Sequence, residues 1–202
     1  MRIARATVYP LPGISALVKA NFGWANALTA VRLLLVGPMC WSVVAGHFAL
    51  SAVTFCLAVA TDLADGRVAR SRGEVSKFGG LFDHSVDASF VGLSLAALAL
   101  QDVSPVIAVT PWLPPLVLAS FSQYALDSRI LAGRPLRASS LGRYNGIGYF
   151  VVLGTAVIGT AISLRTELLE PVVKGMAWLL VITTLLSMVD RLVAYQTAPD
   201  SP

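Results

Sequence analysis

Long apolar runs constrain the fold of this 202-residue chain more than any other feature of its sequence. A transmembrane helix needs about 20 apolar residues to cross a hydrocarbon core of about 30 Å. Segments of that length run approximately over Ala25–Gly46, Phe48–Arg70, Phe78–Gln101, Ser104–Leu131, Leu141–Leu164 and Leu168–Tyr195. The sequence therefore predicts an all-α integral membrane protein with six transmembrane helices.

Composition excludes other classes of protein. Hydrophobic residues make up 56% of the chain and charged residues only 13%, about half of the charged fraction that is usual in a soluble domain. The apolar residues do not alternate with polar ones, as they would in a β-barrel. A net charge of +4 does not indicate a nucleic-acid partner, because no patch combines basic and aromatic residues. Cys40 and Cys56 lie inside apolar runs and are interpreted as small packing residues.

The distribution of basic residues predicts the topology. With six spans, only Arg165 and Lys174 fall on one side, and the other thirteen lysines and arginines fall on the opposite side. Arg32, early in the first span, is one of those thirteen. The positive-inside rule therefore places both termini and the connection between the second and third spans in the cytoplasm. We expect a bacterial inner membrane.

Three proline residues, Pro111, Pro114 and Pro115, predict a kink or a displaced start in the fourth span. Residues 1–24 are predicted to form an N-terminal segment with a short interfacial helix, and a disordered leader is the alternative. Residues 25–195 form the predicted transmembrane domain, and residues 196–202 a disordered tail.

Four aspartates stand at the predicted cytoplasmic ends of the second and third spans. Asp62 and Asp65 share one helical face, as do Asp83 and Asp87. If the two helices pack together, four carboxylates converge, and such a cluster needs compensating positive charge. Oxygen ligands alone favour a hard cation such as Mg²⁺, Mn²⁺ or Ca²⁺. His84 points to another face, so zinc is not indicated, and we assign His84 to packing or hydrogen bonding.

The aspartates belong to a longer pattern, D-x-x-D-G-x-x-A-R, followed after eight residues by G-x-x-x-D-x-x-x-D. Every specified position is filled, by Asp62, Asp65, Gly66, Ala69, Arg70, Gly79, Asp83 and Asp87. This pattern resembles the signature of the CDP-alcohol phosphotransferase (phosphatidyltransferase) family. The segment "NALTAVR" is similar to that family's N-x-L-T-x-x-R segment, although Ala25 stands where the family often has proline.

The resemblance implies roles for these residues. Asp62, Asp65 and Asp83 are expected to hold two divalent cations, Mg²⁺ or Mn²⁺, with Asp87 also near the metals and acting as the general base. The implied nucleotide-binding positions are Asn26, Thr29, Gly66, Ala69, Arg70 and Gly79. Helix packing is the alternative for the glycines, and a helix cap or an interhelical hydrogen bond is the alternative for Asn26 and Thr29.

The implied reaction transfers a substituted phosphate from a CDP-alcohol, often CDP-diacylglycerol, to a hydroxyl acceptor and releases CMP, as a step of phospholipid biosynthesis. Family members are often homodimers. Arg137 and Arg143 are candidate contacts for the acceptor, such as glycerol 3-phosphate or another polar alcohol, because arginine binds phosphate well. Topology or lipid headgroup binding is the alternative for this arginine-rich segment. Phosphatidylglycerol, the acceptor of cardiolipin synthesis, is an alternative acceptor.

Two alternatives come from other functional classes. An ion-coupled carrier also uses membrane carboxylates, but it would place them near the midplane on broken helices. A non-catalytic lipid-binding scaffold would have the same fold, and loss of a motif aspartate would favour it. No motif aspartate is lost.

Overall fold

The computed structural model describes residues 23–74, 76–101, 109–130, 140–164 and 166–196, and these residues form six helices without strands. The helices are α1 (Trp24–Val44), α2 (Phe48–Arg72), α3 (Lys77–Ala99), α4 (Leu113–Ile130), α5 (Ser140–Ala161) and α6 (Thr166–Gln196). The predicted all-α fold class is confirmed. The predicted interfacial helix, the predicted disordered tail and Arg137 lie outside the described residues.

Five of the six helices in the described parts of the chain are long and apolar enough to cross a membrane. The exception is α4, which has 18 residues. It begins at Leu113, so the displaced start predicted from the prolines is confirmed, and Pro114 and Pro115 lie in its first turn. A proline is tolerated there because the first backbone N–H groups of a helix have no intrahelical partner.

Two short connections bring α1, α2 and α3 together. Gly46, between α1 and α2, has φ 74°, and Gly73, which ends α2, has φ 65°. Both are left-handed conformations that favour glycine. Ser76 caps α3, because its Oγ accepts a hydrogen bond of 2.9 Å from the Gly79 N–H. These turns place the end of α2 beside the start of α3.

The helices pack in two groups around one apolar core. In the first group, α1 packs on both α2 and α3; in the second, α6 packs on α4 and α5. Contacts of α3 with α4 and of α2 with α5 join the groups. Phe55, Phe90 and Leu153 are among the core side chains. Gly154 permits close packing of α5 on α2, because a Cβ there would lie 2.7 Å from the Phe55 ring.

Candidate active site

Arg32 of α1 lies at the centre of the four motif aspartates. Its Nη2 is 3.0 Å from Asp62 Oδ1 and 2.5 Å from Asp65 Oδ2. Its Nη1 donates to Asp83 Oδ1 at 2.9 Å and also to Asp87 Oδ1. The predicted convergence of the four carboxylates is therefore present, and one guanidinium bridges all of them.

The four carboxylates differ in their exposure. The Asp65 side chain is only 8% exposed, whereas those of Asp62, Asp83 and Asp87 are 36%, 34% and 25% exposed. The three more exposed residues each offer an oxygen within 4.8 Å of the others, a spacing that suits a metal ion. Asp65 is not in this group of three. Its predicted role as a direct metal ligand remains a prediction.

Asp65 instead accepts a hydrogen bond from a buried side chain of α1. Thr29, itself 2% exposed, donates from Oγ1 to Asp65 Oδ2 at 3.1 Å. The same hydroxyl lies 3.2 Å from the carbonyl oxygen of Ala25, one turn earlier. The interhelical hydrogen bond considered for Thr29 is therefore present, and the structure places its hydroxyl behind Asp65.

The other predicted nucleotide-binding residues lie where α1, α2 and α3 meet. A Cβ on Gly79 would lie 3.0 Å from Asn26 Oδ1 and 3.1 Å from Ser76 Oγ, so glycine gives the Asn26 amide room beside α3. A Cβ on Gly66 would be 3.4 Å from the Arg70 guanidinium, an ordinary contact distance. Ala69 is half-buried and Arg70 is exposed. Asn26 of α1 and Gly79 of α3 therefore lie side by side, and Gly66, Ala69 and Arg70 follow Asp65 along α2.

Glu74 fastens the start of α1 to the connection that follows α2. Its carboxylate accepts a hydrogen bond of 3.2 Å from the Ala25 N–H, a favourable place for an anion because the first N–H groups of a helix are unpaired. Arg72 lies 5.5 Å from the centroid of the Trp24 ring. The segment that carries Asn26, Thr29 and Arg32 is thereby fixed relative to the aspartates.

A cavity of about 620 Å³ opens beside the acidic cluster, and Asp62 and Asp87 form part of its wall. Most of the remaining lining comes from α3, α4 and α5. Apolar side chains form much of its wall: Val91, Val117, Phe121, Ile147 and Phe150. Asp87 lines the cavity, so its carboxylate can contact a molecule that binds there.

Two arginines lie on the wall of this cavity. Arg143, near the start of α5, was predicted as an acceptor contact, and Arg191, near the end of α6, was not. The Arg191 guanidinium lies 5.3 Å from the Tyr124 ring centroid, and the other aromatic neighbour of that ring is His84, at 5.1 Å. His84 therefore packs against an aromatic ring, as expected, and it also lines the cavity.

Sequence reasoning missed the positions of Arg32 and Arg191. Arg32 was predicted only as one of the charges on the cytoplasmic side, and its burial, with 0% exposure, among the four aspartates was not foreseen. A signal was present, because a charge inside an apolar run needs a partner and Arg32 completes the "NALTAVR" segment. Arg191 offered no local signal, since it reaches the cavity only through the packing of α6.

The comparisons with known proteins agree with the motif. A sequence model of the family described as CDP-alcohol phosphatidyltransferase matches residues 22–189. No match was found among curated proteins or among solved structures. The matched range contains every helix from α1 to α5 and most of α6.

Proposed function

The chain belongs to the CDP-alcohol phosphatidyltransferase family, and from that membership we propose that it transfers a phosphatidyl group from CDP-diacylglycerol to a hydroxyl acceptor. CMP is the second product, and the reaction depends on Mg²⁺ or Mn²⁺. One observation carries this proposal: Asp62, Asp83 and Asp87 converge to within 4.8 Å beside a cavity that Asp62 and Asp87 also line.

The donor set of the cluster fits divalent cations. All four side chains offer carboxylate oxygens, which hard cations prefer. Four negative charges face the single positive charge of Arg32 within the described contacts. These aspartates would hold two divalent cations, which would supply positive charge to neutralise the donor's diphosphate and the departing CMP.

Asp87 is the proposed general base because it joins the cluster to the cavity. Its carboxylate takes the proton of the acceptor hydroxyl, and that oxygen forms a bond to the phosphorus that carries the diacylglycerol. The bond between this phosphorus and the bridging oxygen breaks, and the bridging oxygen leaves with CMP. Asn26, Gly66, Ala69, Arg70 and Gly79 surround the place that we assign to the cytidine diphosphate. Thr29 orients Asp65 by donating a hydrogen bond to its carboxylate.

The acceptor is assigned to the cavity. Arg143 and Arg191 supply positive charge to its wall, which favours an acceptor with a phosphate group, such as glycerol 3-phosphate. The apolar lining, with Val91, Val117 and Phe150, favours a second candidate, a lipid acceptor such as phosphatidylglycerol. Both candidates contain a phosphate and a free hydroxyl, and they differ in whether acyl chains enter the cavity.

Membrane placement follows the same reasoning. Five long apolar helices and the family make the chain an integral membrane protein. We assign the acidic cluster to the cytoplasmic side, because Arg143 and Arg191 line the same cavity as Asp62 and Asp87, whereas Lys174 belongs to the opposite side in the predicted topology. The diacylglycerol chains then remain in the bilayer while the nucleotide reaches the cluster. A homodimer remains a prediction from the family resemblance.

A purified-enzyme assay tests the proposal. The full chain in detergent, given CDP-diacylglycerol and Mn²⁺ or Mg²⁺, is expected to release CMP only when an acceptor is added. Chromatography measures CMP, and mass spectrometry of the lipid product identifies the acceptor. Glycerol 3-phosphate, inositol phosphate and phosphatidylglycerol form the first panel. Metal-independent CMP release, or no release with any acceptor of a broad panel, would contradict the proposal.

A further inference from the structure

The Arg32 guanidinium occupies the centre of the acidic cluster as a buried cation. It is 0% exposed, and its two Nη atoms contact all four carboxylates. Within the described part of the chain, its Nε is buried without a hydrogen-bond partner. Arg32 therefore contacts every carboxylate of the cluster while its own Nε donor group is left unpaired.

We propose that Arg32 is a positioning residue that serves as the counter-ion of the carboxylate cluster before a divalent cation binds, and that its guanidinium competes with that cation for the carboxylates. This inference rests on the metal-dependent reaction proposed above. It adds a role that is separate from donor binding and from proton transfer.

The competition follows from shared partners. Asp62, Asp83 and Asp87 form the group that suits a metal ion, and each of them contacts an Nη atom of Arg32. A divalent cation among these oxygens would stand close to the guanidinium, and like charges at that distance repel strongly in a half-buried site. Arg32 must then loosen some of these contacts.

Charge explains why Arg32 is needed before the cations arrive. Four carboxylates within reach of one side chain repel each other, and a single positive charge leaves three negative charges uncompensated. Arginine suits this position better than lysine, because its planar fork bridges several oxygens at once. Arg32 thus holds the carboxylates together without compensating them fully, so the cluster still attracts divalent cations.

Asp65 is the contact that Arg32 keeps. It is the most buried of the four carboxylates, it lies outside the group of three, and Thr29 also holds it. A guanidinium that stays on Asp65 and releases the other aspartates remains next to the site.

The test measures Mn²⁺ binding to the full chain in detergent, without nucleotide, by electron paramagnetic resonance titration. Wild type, Arg32→Gln and Arg32→Lys are compared. Removal of a competing charge is expected to tighten Mn²⁺ binding about tenfold in Arg32→Gln, with a smaller gain in Arg32→Lys. A residue that merely supports the fold would leave binding unchanged or weaken it.

Arg67→Gln is the matched control. Arg67 is exposed on α2 and donates to the Leu63 carbonyl oxygen, so its removal changes the net charge equally without touching the cluster. It is expected to leave Mn²⁺ affinity within about twofold of wild type, because exposed charges are screened. An equal gain in Arg67→Gln would show that net charge is the cause and would overturn the role of Arg32.

The outcomes separate this inference from the proposed function. If wild type binds no Mn²⁺, the metal-dependent reaction itself fails. If wild type binds Mn²⁺ but neither Arg32 variant binds it more tightly, only the competition fails. Arg32→Lys keeps the positive charge in the cluster, so it preserves the comparison if Arg32→Gln does not fold. Unchanged or weaker binding in Arg32→Lys then overturns the inference.

Discussion

The acidic cluster and the cavity beside it are built in different ways. In the cluster, buried polar groups of α1, α2 and α3 fix one another, and Asp65 alone contacts both Arg32 and Thr29. In the cavity, apolar side chains of α3, α4 and α5 surround a space of about 620 Å³, and the charged residues in its wall include Asp62, Asp87, Arg143 and Arg191. We infer from this difference that several mutual contacts fix the side chains of the cluster, whereas the proposed acceptor site depends on a few side chains of the cavity wall.

The largest effect is expected when the proposed general base is removed from the cluster. Asp87→Asn is expected to lower kcat by about 10²–10⁴-fold, because an amide cannot take the proton of the acceptor hydroxyl. Binding of CDP-diacylglycerol in the presence of Mn²⁺ is expected to persist. Glu170→Gln, which removes an acidic group that pairs with Lys174 in α6, is the control. Substantial turnover by Asp87→Asn would exclude Asp87 as the base.

The next experiment addresses the cavity. Arg143→Ala and Arg191→Ala are each expected to raise the KM for an anionic acceptor about tenfold to hundredfold, since a lost hydrogen bond to a charged group is worth roughly 1.5–3 kcal/mol. The KM for CDP-diacylglycerol is expected to change little. Initial-rate kinetics with each substrate varied in turn give both values, and Lys174→Ala serves as the control. A larger effect on the donor than on the acceptor would contradict the assignment.

Two adjacent glycines, Gly79 and Gly80, allow a test of the proposed nucleotide-binding region. A Cβ at Gly79 would press on Asn26 Oδ1, whereas a Cβ at Gly80 would meet nothing within 4 Å among the described residues. Gly79→Ala is expected to raise the KM for CDP-diacylglycerol several-fold, since crowding in a packed region costs about 1 kcal/mol or more. Gly80→Ala is expected to behave as wild type. Equal behaviour of the two variants would show that Asn26 does not require this space.

The smallest expected effect concerns the packing of α5 on α6. Tyr149 Oη and Thr184 Oγ1 are 2.5 Å apart, and Thr184 is 0% exposed. Tyr149→Phe is expected to reduce the free energy of unfolding by about 1 kcal/mol, because Thr184 loses its partner. Denaturant titration in detergent measures the change, and Tyr144→Phe, at a side chain 70% exposed, is the control. A loss of similar size in both variants would count against this hydrogen bond.

The bounds of the helices were largely predictable, because a transmembrane helix is marked by the hydropathy of its own consecutive residues. The second span was predicted over Phe48–Arg70, and α2 covers Phe48–Arg72. The spacing of the aspartates along two adjacent helices likewise predicted that their carboxylates meet. These predictions succeed because helical periodicity fixes which side chains share a face.

The remaining features depend on packing between distant segments. Arg32 lies 33 residues before Asp65 and 55 before Asp87, and a count of loop charges cannot show that it points inward. Arg191 and Tyr124 meet through the packing of α4 on α6. The start of α4 could be placed only because prolines mark it. The sequence therefore predicted where the carboxylates lie. The positions of Arg32 and Arg191 beside them became known only from the three-dimensional structure.

The buried position of Arg32 has a consequence for biosynthesis. Its four carboxylate partners belong to α2 and α3, so they are translated after α1. A positive charge inside an apolar helix without partners disfavours entry into lipid. We therefore expect α1 to settle at its final depth only once α3 has emerged from the ribosome, so that the first three helices enter the membrane as one unit.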